Sequence, residues 1–116
     1  MLDMIPYPKV SLRFELAPDL KLGPGKIMLL ELIEQTGSIS AAARAMNMSY
    51  RRAWLLIDEL KSIVGSPVVA TSAGGSGGGG ATLTADGRDL IFKFRAVEGQ
   101  TRALSAELVA SLKTPA

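Results

Sequence analysis

Near the start of the chain, over residues 10–16, apolar and polar residues alternate. The apolar positions of this pattern are Val10, Leu12, Phe14 and Leu16. A period of two is typical of a β-strand with one buried face. We therefore predict a first strand over residues 10–16.

A helical spacing follows the turn-prone cluster Gly23-Pro24-Gly25. Over residues 26–36 the apolar side chains recur every three or four positions, and the pattern ends at Gly37, a residue type suited to a helix C-terminus. These apolar residues are Ile27, Leu29, Leu30, Leu32 and Ile33. The pattern predicts a first helix over residues 26–36.

Two further helices are predicted on either side of a tight turn at residues 46–48, where Asn47 tolerates a left-handed backbone. Ser38 or Ser40 is suited to cap the shorter one, and Ser49 to cap one running to about residue 64. The buried face of the longer helix is predicted to consist of Ala53, Ile57, Leu60 and Val64. Two helices joined by so short a turn form a helix-turn-helix.

A hairpin and a last helix complete the pattern. Residues 67–71 and 81–83 are predicted strands that flank a glycine-rich stretch, and Thr84 is suited to cap a helix running to about residue 112. At about 1.5 Å per residue this helix would be about 40 Å long, more than so small a core can cover. Its apolar positions follow spacings of four and three, which predicts a seam for a second copy of the chain. This predicted seam consists of Leu90, Phe94, Val97, Thr101, Leu104 and Leu108.

Together these elements predict a mainly α fold with a small antiparallel sheet, a winged helix-turn-helix with a long C-terminal dimerisation helix. The 116 residues fit one domain with a single core. We predict a single domain over residues 1–116, with the helix-turn-helix at 38–64, the wing at 67–84 and the dimerisation helix at 84–112.

The charge distribution points to a polyanionic partner, although the net charge is only +2. No acidic residue lies between Glu34 and Asp58, whereas three arginines do. In a helix-turn-helix the second helix presents its N-terminal side chains to the major groove, and a dimer matches a palindromic operator. We therefore predict a sequence-specific regulator that binds double-stranded DNA as a homodimer. The predicted DNA contacts are Ser38, Ser40, Arg44, Ser49, Tyr50, Arg51, Arg52, Gly77 and Gly78.

Some positions leave alternatives open. Taken alone, the pair Arg51 and Arg52 favours a solvated helix face, and the helix-turn-helix pattern reverses this preference in favour of DNA contact. For Trp54, packing is favoured over stacking on a sugar or the wing. Leu55 and Leu56, expected to be exposed, support a second function, a winged-helix module that binds another protein.

Several functional classes are disfavoured by what the sequence lacks. Without cysteine or histidine, disulfides, thiolate metal sites and the usual general base are missing, so we expect no enzyme, no metal and no cofactor. The glycine spacing at Gly75, Gly77 and Gly80 matches a dinucleotide-binding loop only weakly, because the chain has no room for that fold. No signal peptide or membrane span is evident, which predicts a cytoplasmic protein without a membrane partner.

Three motifs carry a resemblance to a known family. They are Thr-Gly-Ser-Ile-Ser-Ala-Ala-Ala at 36–43, Met-Ser-Tyr-Arg-Arg-Ala-Trp at 48–54, and the glycine run with Ala-Thr-Leu-Thr at 74–84. Residues 23–95 resemble the N-terminal DNA-binding domain of the ModE family of molybdate-responsive transcriptional regulators and, more distantly, the LysR-type regulators. The resemblance implies that the glycine run is a native wing and that the terminal helices form a dimer. It also implies an operator bound through Ser49, Tyr50, Arg51 and Arg52.

The resemblance does not extend to molybdate sensing. Full-length members of that family carry C-terminal molybdate-binding domains, whereas this sequence ends at residue 116. We therefore expect no molybdate site in this chain. Met1 and the C-terminal helix favour a natural single-domain relative over an excised fragment.

Overall fold

A computed structural model describes residues 7–75 and 78–113 of the chain. In this part the helices dominate and the strands form two separate antiparallel pairs, so the predicted fold class is confirmed. In chain order the elements are β1 (Phe14–Ala17), β2 (Leu20–Leu22), α1 (Pro24–Thr36), α2 (Ile39–Ala45), α3 (Tyr50–Val64), β3 (Val69–Gly75), β4 (Gly78–Leu83), α4 (Ala85–Leu104) and α5 (Ala106–Ser111).

The core surrounds α1, which contacts α2, α3, α4 and β4. Its fully buried residues are Ile27, Leu29, Leu30 and Ile33. Ala42 and Ala43 of α2 are buried beside them. Their small side chains let α2 approach α1 closely. On α3 the predicted face is confirmed: Ala53, Ile57 and Leu60 are buried and Val64 is half-buried.

The helix ends follow from local chemistry. Gly37 ends α1 with a left-handed backbone (φ 69°), a conformation in which glycine lacks the steric penalty of a side chain. Ser38 rather than Ser40 caps α2, since its hydroxyl accepts a hydrogen bond from the amide of Ala41 at 3.0 Å. Asn47 has φ 56°, as the predicted turn between the helices requires. Ser49 caps α3 by accepting from the amide of Arg52 at 3.0 Å.

The N-terminal strand differs from the prediction. Instead of a strand over residues 10–16 with one buried face, β1 begins at Phe14, all its residues are exposed, and it pairs with the unpredicted β2. The physical reason is that β1 lies at the molecular surface in a two-stranded hairpin. There the ring of Phe14 packs edge-on against Phe94 of α4, with 6.2 Å between centroids.

The wing is the hairpin of β3 and β4, whose antiparallel register runs from Val69 opposite Leu83 to Gly75 opposite Gly78. Gly78 thus lies at the strand end, whereas Gly77 lies outside the described residues. A backbone hydrogen bond of 3.0 Å from the amide of Ala81 to the carbonyl of Gly37 attaches the wing to the end of α1, and one of 3.0 Å from the amide of Thr84 to the carbonyl of Val68 closes the base of the hairpin.

The last helix is not continuous to residue 112, contrary to the prediction. A turn at Ser105 separates α4 from the shorter α5, so α4 alone is about 30 Å long at 1.5 Å per residue. An ion-pair network holds α4 to α1: Arg95 donates two hydrogen bonds to Glu31 and one to the buried Glu98. Among the residues described, no helix is both long and apolar enough to cross a membrane.

Candidate nucleic-acid interface

The helix α3 has one face buried in the core, and its exposed residues lie on an outward side and on two flanks. At about 100° per residue, Ala53, Ile57 and Leu60 point into the core, and Arg51 and Leu55 lie on the opposite, outward side. Tyr50 and Trp54 lie on the flank towards the wing. Arg52 lies on the other flank, towards the β1–β2 hairpin.

Arg51 and Arg52 are exposed on the first turn of α3, and neither forms an ion pair within residues 7–75 and 78–113. Although these two arginines are adjacent in sequence, they lie on different surfaces of the protein. Arg51 shares the outward side with Leu55, while Arg52 lines a depression beside the β1–β2 hairpin. Their guanidinium groups, each able to donate several hydrogen bonds in one plane, are suited to guanine edges or phosphates.

A groove of about 370 Å³ runs between α3 and the wing. Tyr50 and Trp54 form its helix side, with ring centroids 6.3 Å apart in an edge-on arrangement, and Trp54 remains 37% exposed. The strand side consists of Thr71, Ser72, Gly80 and Ala81. Trp54 is therefore only partly packed and presents part of its indole to this groove.

The predicted serines occupy several places around the groove. Ser38 and Ser40 line the groove itself, whereas Ser49 is exposed at the start of α3. The hydroxyls of Ser38 and Ser49 are already engaged as helix caps. Arg44 is exposed on α2, away from the groove lining.

Acidic partners are distributed unevenly over the cationic side chains. On α4, Lys93 pairs with Asp89 at 3.0 Å, and Arg95 pairs with Glu31 and Glu98 at 2.7 Å. The hydrogen bond from Arg95 to Glu31 raises the pKa of the guanidinium above its ordinary value. In contrast, Arg44, Arg51 and Arg52 form no ion pair with any described residue. The helix-turn-helix therefore offers positive charge to an external anion.

The residues of the predicted seam have different environments in the protomer. Phe94 is 3% exposed in the core of its own chain, and Leu90 and Thr101 are half-buried. Val97, Leu104 and Leu108 are exposed. Phe94 is thus already covered within its own protomer, where it contacts Phe14 of β1, and Val97, Leu104 and Leu108 are the seam positions most accessible to another chain.

Leu56 corrects a further expectation, because it is 8% exposed and belongs to the core, leaving Leu55 as the exposed leucine of this pair. The sequence also missed the strand side of the groove, Thr71 and Ser72, because no local motif distinguishes residues that only the hairpin register aligns with α3. Within the described part of the chain, no cluster of three or more carboxylates, histidines or cysteines is arranged to hold a metal ion.

Comparison with known proteins agrees with this architecture. The relatives include the molybdenum-pterin-binding protein MopB of Rhodobacter capsulatus, which is 39% identical over 79% of this chain and 34% of its own length. The molybdenum transport protein ModE of Azotobacter vinelandii is 43% identical over 66% of this chain and 28% of its own. The DNA-binding transcriptional dual regulator ModE of Escherichia coli is 39% identical over 72% of this chain and 32% of its own.

The chain thus spans about a third of the length of these relatives, and the resemblance to the ModE regulators is confirmed over the N-terminal part of this chain. A family model of regulatory helix-turn-helix proteins matches residues 25–88, which extend from the start of α1 through the wing into the first turn of α4. The chain therefore belongs to the bacterial regulatory helix-turn-helix proteins of the lysR family.

Proposed function

We propose that this chain is a sequence-specific DNA-binding transcriptional regulator that binds double-stranded DNA as a homodimer with α3 in the major groove. The observation that carries the proposal is the outward position of Arg51, exposed and without an acidic partner among the described residues, on the first turn of a capped helix. A helix that enters the major groove presents this turn to base edges. The similarity to the Escherichia coli DNA-binding transcriptional dual regulator ModE supports the same function.

Arg51 is the residue proposed to read sequence. Its guanidinium matches the O6 and N7 acceptors of guanine, a bidentate contact worth about 1–3 kcal/mol of discrimination. Leu55, one turn further along the outward side, offers an apolar contact of the kind that the methyl group of thymine accepts. Arg52, Arg44 and the serines are proposed to bind phosphates and sugars, which set register but carry no sequence information.

The homodimer is proposed to form through the exposed later positions of the predicted seam, Val97, Leu104 and Leu108. Leu104 at the end of α4 and Leu108 on α5 are both more than half exposed, which is unusual for an isolated protomer. Pairing of two such helices would place two copies of α3 in successive major grooves, about 34 Å apart, on a palindromic operator.

Selection of bound duplexes from a random pool, followed by fluorescence anisotropy, tests the proposal. We expect a palindromic consensus, and we expect Arg51→Ala to weaken binding to the selected duplex about tenfold or more while changing binding to random duplex much less. Lys93→Ala, which removes a paired lysine from α4, is the matched control and should leave both affinities unchanged. Absence of any selected consensus, or equal losses on both duplexes for Arg51→Ala, would contradict the assigned role.

The alternative function, a module that binds another protein through α3, has less support. It depended on two exposed leucines, and Leu56 is buried. A single leucine beside an arginine is compatible with a surface that reads DNA, so we do not propose the alternative.

A further inference from the structure

A broad, open depression of about 840 Å³ lies on the side of α3 that faces away from the wing. The β1–β2 hairpin, the start of α1 and the flank of α3 form its walls. Its basic side chains are Arg13, Lys21, Lys26 and Arg52. No sequence motif indicates a role for the first three.

The charges in this depression are only partly compensated. Lys26 is neutralised, because its Nζ lies 3.0 Å from a carboxylate oxygen of Glu59 and also donates to the carbonyl of Lys21. Arg13 and Arg52 form no ion pair within the described part of the chain. The remaining acidic side chain of the lining is Asp19. The depression therefore retains an excess of positive charge, contributed by the two arginines and Lys21.

The position of Arg13 depends on the β1–β2 hairpin. Its side chain extends across Gly23, where an added β-carbon would lie 3.4 Å from its Cγ. Arg13 is exposed and lines the same depression as Arg52. Two guanidinium groups from distant parts of the sequence thus border one open surface.

We propose that Arg13 and Arg52 together bind a backbone phosphate of the DNA at the edge of the major groove, with Lys21 beside them. This inference rests on the proposed function, because it requires α3 to enter the groove. The wall of a groove is the sugar-phosphate backbone, so a side chain on the flank of α3 meets a phosphate rather than a base edge. Arginine forms strong, charge-assisted and often bidentate hydrogen bonds to phosphate. The N-terminal hairpin thereby becomes a second DNA-binding element opposite the wing.

The test is the salt dependence of binding for Arg13→Gln, measured on the selected duplex and on a random-sequence duplex. Loss of one phosphate contact should weaken both by the same factor, about threefold to tenfold, and lower the slope of log K against log salt by about 0.9. Asp19→Asn, which removes the acidic group of the depression, should tighten binding to both duplexes. Lys93→Gln, on α4, should change neither affinity nor slope.

A missing-contact experiment locates the phosphate. Ethylation of the phosphate that Arg13 contacts should weaken binding of the parent protein and leave the Arg13→Gln variant insensitive at that position. Far-UV circular dichroism and the thermal midpoint should be unchanged, because Arg13 is exposed. If ethylation of each phosphate that weakens binding of the parent also weakens binding of the Arg13→Gln variant, the inference is wrong. It is also wrong if the variant binds with the same salt slope as the parent.

These results separate this inference from the proposed function. A parent protein that selects no consensus contradicts sequence-specific regulation, whereas the uniform effect of Arg13 is still measurable on random duplex. A parent protein that selects an operator and tolerates Arg13→Gln contradicts only the phosphate site.

Discussion

The backbone amide of Ala81, in the second strand of the wing, donates a hydrogen bond of 3.0 Å to the carbonyl of Gly37, the residue that ends the first helix. This bond joins the wing to the start of the helix-turn-helix. The groove between them therefore has two walls attached at one backbone position, and its width depends on the left-handed turn at Gly37.

Replacement of Gly37 tests that turn. Gly37→Ala should lower the free energy of unfolding by about 1 kcal/mol, because a β-carbon is disfavoured at its φ of 69° although no atom lies within 4 Å of it. Gly25→Ala is the control, since the added methyl group also meets nothing there and φ is not positive. Urea unfolding measures both, and equal stabilities for the two variants would contradict the backbone argument.

Substitution by alanine should change the stability of the fold in opposite directions at two glycines of α4. At Gly87 an added β-carbon would clash with the backbone carbonyl of Val68, so Gly87→Ala should destabilise the fold by about 1–3 kcal/mol. At Gly99 the added carbon meets nothing, so Gly99→Ala should stabilise the helix by up to about 1 kcal/mol. Thermal unfolding of both variants provides the comparison, and a stable Gly87→Ala protein would mean that α4 does not pack so closely on Val68.

Replacement of Ser49 tests whether this residue acts mainly as a helix cap or as a DNA contact. Ser49→Ala should cost about 1 kcal/mol of stability, because the amide of Arg52 loses its acceptor. Ser62→Ala, at an exposed position later in the same helix, should be nearly neutral. Chemical denaturation compares them, and a neutral Ser49→Ala variant with weakened DNA binding would reverse the assignment.

The ion-pair network of α4 should be important for stability. Arg95→Met removes the guanidinium that pairs with Glu31 and Glu98, and Arg102, 3.5 Å from Glu98, compensates only in part. Because the Glu98 side chain is only 8% exposed, we expect a loss of about 1–3 kcal/mol. The double variant Arg95→Met, Glu98→Met should recover part of the lost stability in urea unfolding. If no stability is recovered, the uncompensated carboxylate of Glu98 is not the cause of the loss.

The proposed dimer predicts that one face of α4 is sensitive to charge. Leu104 is 87% exposed in the protomer, so Leu104→Glu should preserve the fold and shift the dimer towards monomer in sedimentation analysis. Phe92→Glu places the same charge at another exposed apolar position, on a different face of α4, and should leave the dimer intact. The opposite result, a dimer lost only in the Phe92 variant, would reject the predicted seam.

Local chemistry made several of these features predictable. The turn at Asn47, the caps at Ser38 and Ser49 and the end of α1 at Gly37 depend on backbone conformations and hydrogen bonds within a few residues. The buried face of α3 follows from its helical period, which requires no knowledge of what it packs against. Arg51 and Arg52 were found for the same reason, since their places on the first turn depend only on where the helix begins.

What the amino-acid sequence determined by itself was the order of the helices and the helix-turn-helix at their centre, because capping and hydrophobic periodicity act over short distances. Tertiary structure decided which side of each element is covered. Phe94 fits the heptad spacing of a dimer seam, yet Phe14 and α1 cover it within the protomer. Arg13 and Arg52, 39 positions apart by number, border one depression only because the N-terminal hairpin folds beside α3. Such contacts depend on the path of the whole chain, which short-range spacing does not encode.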